Sequence, residues 1–194
     1  MKKAFTMIEL LVVMVVGAIL SAVAISKIHT GELIDAARSV ANDIRYTRIL
    51  AMDEDAYGIS NYHDRYYRFT IASNKTYKIT TKRINSGNLV KEDYAVDFLN
   101  ADKRLCDFEV KECSEKTRVL KAYNVTFKPE VTPTPEWDGL TPTNTIIFNE
   151  LGEPLNYNNK ESGFNIEISK GSDVACIYVE KYSGFVSIEK AACK

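Results

Sequence analysis

The sequence predicts an α+β fold, in which one long N-terminal helix packs on an antiparallel β-sheet domain. Three patterns carry this prediction: an uncharged apolar run near the start, apolar residues at helical spacing after it, and an alternation of period two beyond residue 58. The 194 residues are 26% charged with a formal net charge of −1. This composition is typical of a globular protein and excludes a strongly basic nucleic-acid arm.

The apolar run predicts a membrane-spanning helix. No charged residue occurs from Leu10 to Ile25, and the stretch from Phe5 to Ile28 is 24 residues long. At about 1.5 Å per residue this length crosses a bilayer. Lys2 and Lys3 precede the run. Their position predicts a single-pass membrane protein with a cytoplasmic N-terminus, so that the rest of the chain lies outside the inner membrane.

Glu9 lies inside the apolar run, where a carboxylate is costly. A plain signal anchor has no use for it. A secretory signal peptide, for which Ala22-Val23-Ala24 offers a cleavage site, has none either. Cleavage before Phe5 would create a charged α-amino group one helical turn away. Glu9 can then pair with that amine on a neighbouring copy, or lie in the field of its own helix N-terminus.

The segment Lys3-Ala4-Phe5-Thr6-Met7-Ile8-Glu9-Leu10 resembles the prepilin leader junction of type IV pilins and type II secretion pseudopilins. The resemblance implies that residues 1–4 are a leader, which prepilin peptidase removes by cutting between Ala4 and Phe5. It also implies N-methylation of Phe5 and a role for Glu9 in filament assembly. The family usually has glycine before the cut, and Ala4 is small enough for the same protease subsite.

Residues 29–57 are predicted to continue the helix as an amphipathic segment, and Asp53-Glu54-Asp55 with Gly58 is predicted to end it. The segment from Ala36 to Arg48 resembles the alanine-rich, arginine-bearing helix of GspH/FimT-type minor pseudopilins. The apolar face is predicted to consist of Leu33, Ala37, Val40, Ile44 and Ala51.

Residues 58–194 are predicted to form a periplasmic β-rich domain. A hairpin is predicted over 65–72 and 75–83, with its turn at Ser73-Asn74. The stretches 145–154 and 176–188 resemble the corresponding strands of the GspH/FimT group. Further strands are predicted over 118–127, 145–149, 164–169, 174–180 and 185–189.

A stretch rich in proline, residues 129–142, is predicted to be an exposed loop. It contains Trp137, the only tryptophan. This side chain can anchor a partner or cover the sheet.

The four cysteines all follow the apolar run, as expected for disulfides in an oxidising compartment. Proximity favours Cys106 with Cys113 and Cys176 with Cys193, although three pairings are possible and buried free thiols are the alternative. Only two histidines occur, and no motif for a cofactor or for nucleophilic catalysis is present. The sequence therefore predicts no catalytic residue, no metal and no cofactor, so the chain is not expected to be an enzyme.

Nucleic acid is not expected as a partner. Every arginine lies at or before Arg118, and from Val119 onward 7 lysines face 10 acidic residues. One aromatic and basic cluster is the exception that can contact DNA, although strand surface is the simpler interpretation. The cluster comprises Tyr62, Arg65, Tyr66, Tyr67 and Arg68.

The resemblance implies a structural minor pilin or pseudopilin of a type II secretion or type IV pilus-like filament. Its expected partners are other pilin or pseudopilin subunits through the N-terminal helix, prepilin peptidase, the inner membrane and a secreted protein cargo. Two alternatives remain: an exported or anchored periplasmic binding module, and a minor pilin specialised for DNA uptake.

Overall fold

The computed structural model describes residues 7–53, 66–85, 88–128, 145–155 and 163–193, with the side chains of residues 22–30, 82–92 and 128 left out. The chain divides into two compact units, Met1–Glu32 and Leu33–Lys194. The leader and the cleavage junction at Ala4 and Phe5 lie outside the described residues.

The first unit contains the beginning of helix α1, which comprises Met7–Asp53. From Leu10 to Ile25 this part is an uncharged run of aliphatic residues and alanine without proline, which is compatible with a continuous helix. In the parts of the chain that are described, no helix is long and apolar enough to cross a membrane. The predicted span, residues 5–28, extends beyond the residues whose side chains are described.

The second unit contains the end of α1 and the antiparallel sheets, so the α+β fold class is confirmed. The strands are β1 Arg68–Ser73, β2 Thr76–Asn85, β3 Asn88–Tyr94, β4 Val96–Asp97, β5 Asn100–Arg104, β6 Thr126–Lys128, β7 Thr145–Phe148, β8 Pro154–Leu155, β9 Phe164–Lys170, β10 Asp173–Val179 and β11 Val186–Glu189. A five-stranded sheet has the order β3-β2-β1-β7-β8, a four-stranded sheet has the order β11-β10-β9-β6, and β4 pairs with β5. Between β5 and β6 lie a 3₁₀ turn, Glu115–Arg118, and the single-turn helix α2, Val119–Ala122.

The core lies between the second half of α1 and both larger sheets. The five residues predicted for the apolar face of α1 are all buried. They pack in one cluster with strand residues such as Phe69, Ile79, Phe148 and Ile168. The amphipathic interpretation of this half of the helix is therefore confirmed, because its apolar residues, which recur with a period of 3.6, pack on the apolar faces of the sheets.

Most predicted strands are confirmed to within a few residues. The first hairpin turns at Asn74-Lys75, one residue later than predicted, and β7, β9, β10 and β11 follow the predicted ranges. Strand β9 shows why these strands could be predicted. From Phe164 through Ile168 its side chains are alternately buried and more exposed, because β9 lies between two other strands and has one face on the core.

The predicted strand over 118–127 is wrong for most of its length, because α2 and a turn occupy residues 119–125. Ser114 accepts a hydrogen bond from the backbone N–H of Lys116 and so begins the preceding 3₁₀ turn. Asn124, at φ 53°, then reverses the chain in the left-handed region. Leu120 and Val125 are the buried residues here, and the backbone N–H of Val125 bonds to the carbonyl of Leu120.

Strands β3, β4 and β5 were not predicted. Their residues are largely polar or charged, as in Asn100–Arg104, so no alternation marks them. The proline-rich loop predicted over residues 129–142, with Trp137, lies outside the described residues.

Candidate assembly helix and the domain that carries it

The N-terminal part of α1 exposes apolar side chains on all sides of the helix. Met7 is 92% exposed and Ile8 73%. A helix that is apolar all round belongs in lipid or against other apolar helices, because water solvates such a surface poorly. The other large apolar side chains exposed here are Leu10, Leu11, Val12, Val13, Met14, Val15, Val16, Ile19 and Leu20.

Glu9 is the acidic residue of the first described turn of this apolar helix. Its side chain is exposed. A carboxylate near a helix N-terminus is favoured by the positive end of the helix dipole. Further along the same helix, the Ser21 hydroxyl donates a hydrogen bond to the carbonyl of Gly17 at 2.8 Å. A side chain at Gly17 would meet open space, so another backbone can approach closely at this point.

In the second unit, two arginines of α1 hold two glycine turns against the helix. Arg48 Nε donates to the carbonyl of Gly152 at 3.0 Å, and Arg45 Nη2 donates to the carbonyl of Val186 at 2.6 Å. Gly152 and Gly184 both have positive φ, 76° and 62°. A β-carbon on Gly184 would lie 2.2 Å from the Gly152 carbonyl, so the β7–β8 turn and the β10–β11 turn touch each other here.

A buried carboxylate, Asp43, joins α1 to two other parts of the domain. The Tyr77 hydroxyl on β2 donates to Asp43 Oδ2 at 2.6 Å, and Lys116 Nζ in the 3₁₀ turn contacts Asp43 Oδ1. Lys116 Nζ also lies 3.9 Å from the ring centroid of Phe98. Asp43 is completely buried, so these partners replace the water that it loses on folding.

Burial dominates the titration of this network. Desolvation raises the pKa of Asp43 above its ordinary value, although the hydrogen bonds and charge of Lys116 and the Tyr77 hydroxyl oppose the shift. Desolvation and the neighbouring Asp43 carboxylate raise the pKa of Tyr77 well above its ordinary value. The network is a structural joint, because its buried carboxylate is bonded to side chains of β2 and of the 3₁₀ turn.

Both disulfides join the cysteines that sequence proximity favoured. Cys106 bonds to Cys113 across a short excursion after β5, and Cys176 on β10 bonds to Cys193 after β11. The second disulfide fastens the C-terminal residues to the four-stranded sheet. Oxidised cysteines are consistent with an extracytoplasmic domain.

The aromatic and basic cluster considered for DNA does not form an open surface where it is described. Tyr66 and Arg68 are buried, and the Tyr66 hydroxyl donates to Glu150 at 2.6 Å. Tyr62 and Arg65 lie outside the described residues. Tyr67 is partly buried against the hydrophobic core.

The similarity of this chain to known proteins lies in its N-terminal residues. Residues 1–25 match the family model of the prokaryotic N-terminal methylation motif. The chain carries this motif. No curated protein and no solved structure is significantly similar to it.

The methylation motif supports the type IV pilin-like family that the leader junction resembles. It covers the whole predicted processing site, including Ala4, Phe5 and Glu9, and most of the exposed apolar helix. The arrangement of a helix followed by antiparallel sheets is consistent with a pilin-like fold.

Two further observations concern the domain behind the methylation motif. Among the described residues, no group of three or more His, Cys, Asp or Glu side chains is placed to hold a metal ion.

The Asp43 network was not found by sequence reasoning. Its signal was available, because Asp43 falls on the same helical face as Val40 and Ile44, where a charge is exceptional.

Proposed function

We propose that this chain is a minor pilin or pseudopilin, a structural subunit of a type II secretion or type IV pilus-like filament. The methylation motif over residues 1–25 is the observation that carries the proposal. The exposed apolar helix and the α+β domain behind it supply the two parts that such a subunit needs.

In the proposed mechanism, prepilin peptidase cuts between Ala4 and Phe5 on the cytoplasmic side, and Phe5 is N-methylated. The helix of residues 5–28 holds the subunit in the inner membrane and later becomes part of a filament core. Glu9 sets the register between neighbouring helices, because pairing with a terminal amine offsets the cost of an acid among apolar chains. The disulfide-bonded domain lies in the periplasm.

The minor-subunit assignment rests on resemblance to the GspH/FimT type in three stretches, residues 36–48, 145–154 and 176–188. In the proposed filament the domain meets neighbouring subunits or a secreted protein cargo. Nucleic acid is not proposed as a partner. The burial of Tyr66 and Arg68 and the excess of acids after Arg118 both support this.

The role of Glu9 is tested by following the full chain into sheared filaments of its own cells. The chain with Glu9→Ala is expected to be processed normally yet to enter filaments at least about tenfold less, since a lost charge pairing in an apolar core is worth about 1.4 kcal/mol or more. Glu189→Ala, at an exposed position of β11, is the matched control and is expected to assemble as the wild type does. Normal assembly of Glu9→Ala would contradict the role given to Glu9.

A further inference from the structure

Two short motifs of the sequence have no part in the proposed function. They are Asn74-Lys75-Thr76 and Asn124-Val125-Thr126, and no other asparagine of the chain has serine or threonine two residues after it. An asparagine with this spacing, and with no proline between, is an acceptor of N-linked glycans in secreted chains. Because the motif is short, its position in the fold decides whether it can serve as an acceptor.

The structure places both asparagines at exposed turns. Asn74 lies in the turn between β1 and β2, and Asn124 lies between α2 and β6. The strand expected over residues 118–127 would have held Asn124 in a sheet. Instead the chain reverses at this residue, whose φ is 53°. An exposed turn gives room for a bulky group, which a position inside a sheet does not.

The two turns lie side by side. The backbone N–H of Phe127 donates to the Asn74 carbonyl at 2.8 Å, and Lys75 Nζ donates to Asn124 Oδ1 at 2.8 Å. The second bond uses the amide oxygen of Asn124. The nitrogen Nδ2, to which a glycan would be attached, is therefore not the atom that Lys75 holds. One end of the domain thus presents both acceptors together.

The surface beside both asparagines consists of small and polar residues. The exposed neighbours along the chain are Ala72, Ser73, Lys121 and Ala122. Within the described parts of the chain, none of the large apolar side chains that are exposed belongs to either turn. A surface without large apolar residues suits a hydrophilic glycan and offers little to a protein partner.

We propose that Asn74 and Asn124 are acceptors of N-linked oligosaccharides carried by a lipid pyrophosphate. In each transfer Nδ2 of the asparagine forms a bond to the anomeric carbon of the glycan. The bond from that carbon to the pyrophosphate breaks, the pyrophosphate leaves with the electron pair, and the amide loses one proton. The inference rests on the extracytoplasmic placement of the domain in the proposed function, because this modification belongs to secreted chains.

The threonine hydroxyls of the two motifs indicate when the transfer takes place. Thr76 Oγ1 lies 2.7 Å from Ser73 Oγ, and Thr126 Oγ1 lies 3.2 Å from Ser169 Oγ. An enzyme that recognises these hydroxyls would have to compete with both contacts in the folded domain. The transfer therefore takes place on the emerging chain, before β6 pairs with β9.

The test is mass spectrometry of peptides from the full chain, purified from the cells that make it. The peptides that contain Asn74 and Asn124 are expected to carry a carbohydrate mass. Asn100 is the matched control, because it is exposed at the start of β5 and lies outside the motif. Its peptide is expected to be unmodified.

A pair of variants at Thr126 separates recognition of the motif from folding. Thr126→Val keeps the branched shape of the side chain and removes the hydroxyl, so Asn124 is expected to lose its carbohydrate while Asn74 retains it. Thr126→Ser keeps the hydroxyl and is expected to retain the modification at Asn124. Carbohydrate that remains on Asn124 in Thr126→Val would overturn the inference, because the attachment would then not depend on the motif.

The outcomes distinguish this inference from the proposed function. Unmodified Asn74 and Asn124 in a chain that begins at Phe5 would overturn the inference and leave the proposed function intact. Carbohydrate found only on serine or threonine residues would overturn it as well. A chain that is modified at both asparagines but still begins at Met1 would support the inference and count against the proposed function.

Discussion

At the scale of single residues, Asp43 shows how one buried charge can join three elements. Its carboxylate receives the Tyr77 hydroxyl of β2 and contacts Lys116 in the 3₁₀ turn. A buried carboxylate without such partners would cost several kcal/mol. The pairing therefore makes docking of β2 and of the 3₁₀ turn depend on α1, which is the helix that the proposed filament would hold.

Removing the Tyr77 hydroxyl should weaken this joint. Tyr77→Phe leaves Asp43 buried with one hydrogen bond fewer, so the free energy of unfolding should fall by about 1–3 kcal/mol. Urea unfolding of the full chain in detergent measures it. Tyr182→Phe, at an exposed position, is the control and should change the midpoint little. An unchanged midpoint for Tyr77→Phe would show that the bond contributes nothing to stability.

The raised pKa of Asp43 gives the joint a pH dependence of definite sign. An unfolded Asp titrates near pH 3.9, and burial raises the pKa in the folded chain above that value. Between these two pKa values the folded chain binds more protons than the unfolded chain does. The contribution of Asp43 to the free energy of unfolding therefore falls as the pH rises.

Comparison with Asp43→Asn isolates this contribution. The free energy of unfolding of the wild type minus that of the variant should decrease as the pH rises from about 4, and then level off above the folded pKa. Urea titrations at a series of pH values measure the difference. A difference that grows with pH would mean that the ion pair with Lys116, and not burial, controls the carboxyl.

At the scale of elements, the two glycine turns hold the two larger sheets against α1, and the two disulfides close loops within the domain. The turns meet at Gly152 and Gly184 over Arg48, and the disulfide Cys176–Cys193 fastens the residues after β11. The contact between the two turns and the disulfide each join two parts of the chain that are not joined by hydrogen bonds between strands.

Gly184→Ala should destabilise the domain more than Gly171→Ala. Both glycines have similar positive φ, 62° and 61°, so both variants carry a left-handed strain of about 1–2 kcal/mol. At Gly184 the new β-carbon also meets the Gly152 carbonyl at 2.2 Å, whereas at Gly171 it meets nothing within 4 Å. Urea midpoints compare the two, and equal losses would contradict the close contact of the turns.

The longer disulfide loop should contribute more to stability. Cys176–Cys193 spans 17 residues and Cys106–Cys113 spans 7. Chain entropy then gives about 3 kcal/mol for the first and about 2 kcal/mol for the second. Guanidinium unfolding of the paired serine variants measures both. A larger loss for Cys106→Ser with Cys113→Ser would contradict this order.

How much of the fold could be predicted depended on burial. Where one face packs on the core, as along Leu33 to Ala51 or Phe164 to Ile168, the period of apolar residues predicted the element. Where the chain is polar, as in β5, no period exists. At residues 118–127 a turn of helix and a left-handed Asn124 interrupted an apparent alternation. The Asp43 joint depends on partners 34 and 73 residues away, which no local pattern shows.

At the scale of the whole molecule, the chain combines a methylation motif, an apolar helix and a disulfide-bonded α+β domain. In the proposed mechanism the apolar helix holds the chain in lipid and then enters a filament core, because both surroundings are apolar. The processing event at Phe5 is what converts the first state into the second in the proposed mechanism.

The most direct test is mass spectrometry of the mature N-terminal peptide, taken from the membranes of cells that make the full chain. The proposed function predicts a chain that begins at N-methylated Phe5. A chain that begins at Met1 would mean an unprocessed anchor, and one that begins at Ile25 would mean an exported binding module. Either of those results would contradict the assignment to a prepilin-type filament.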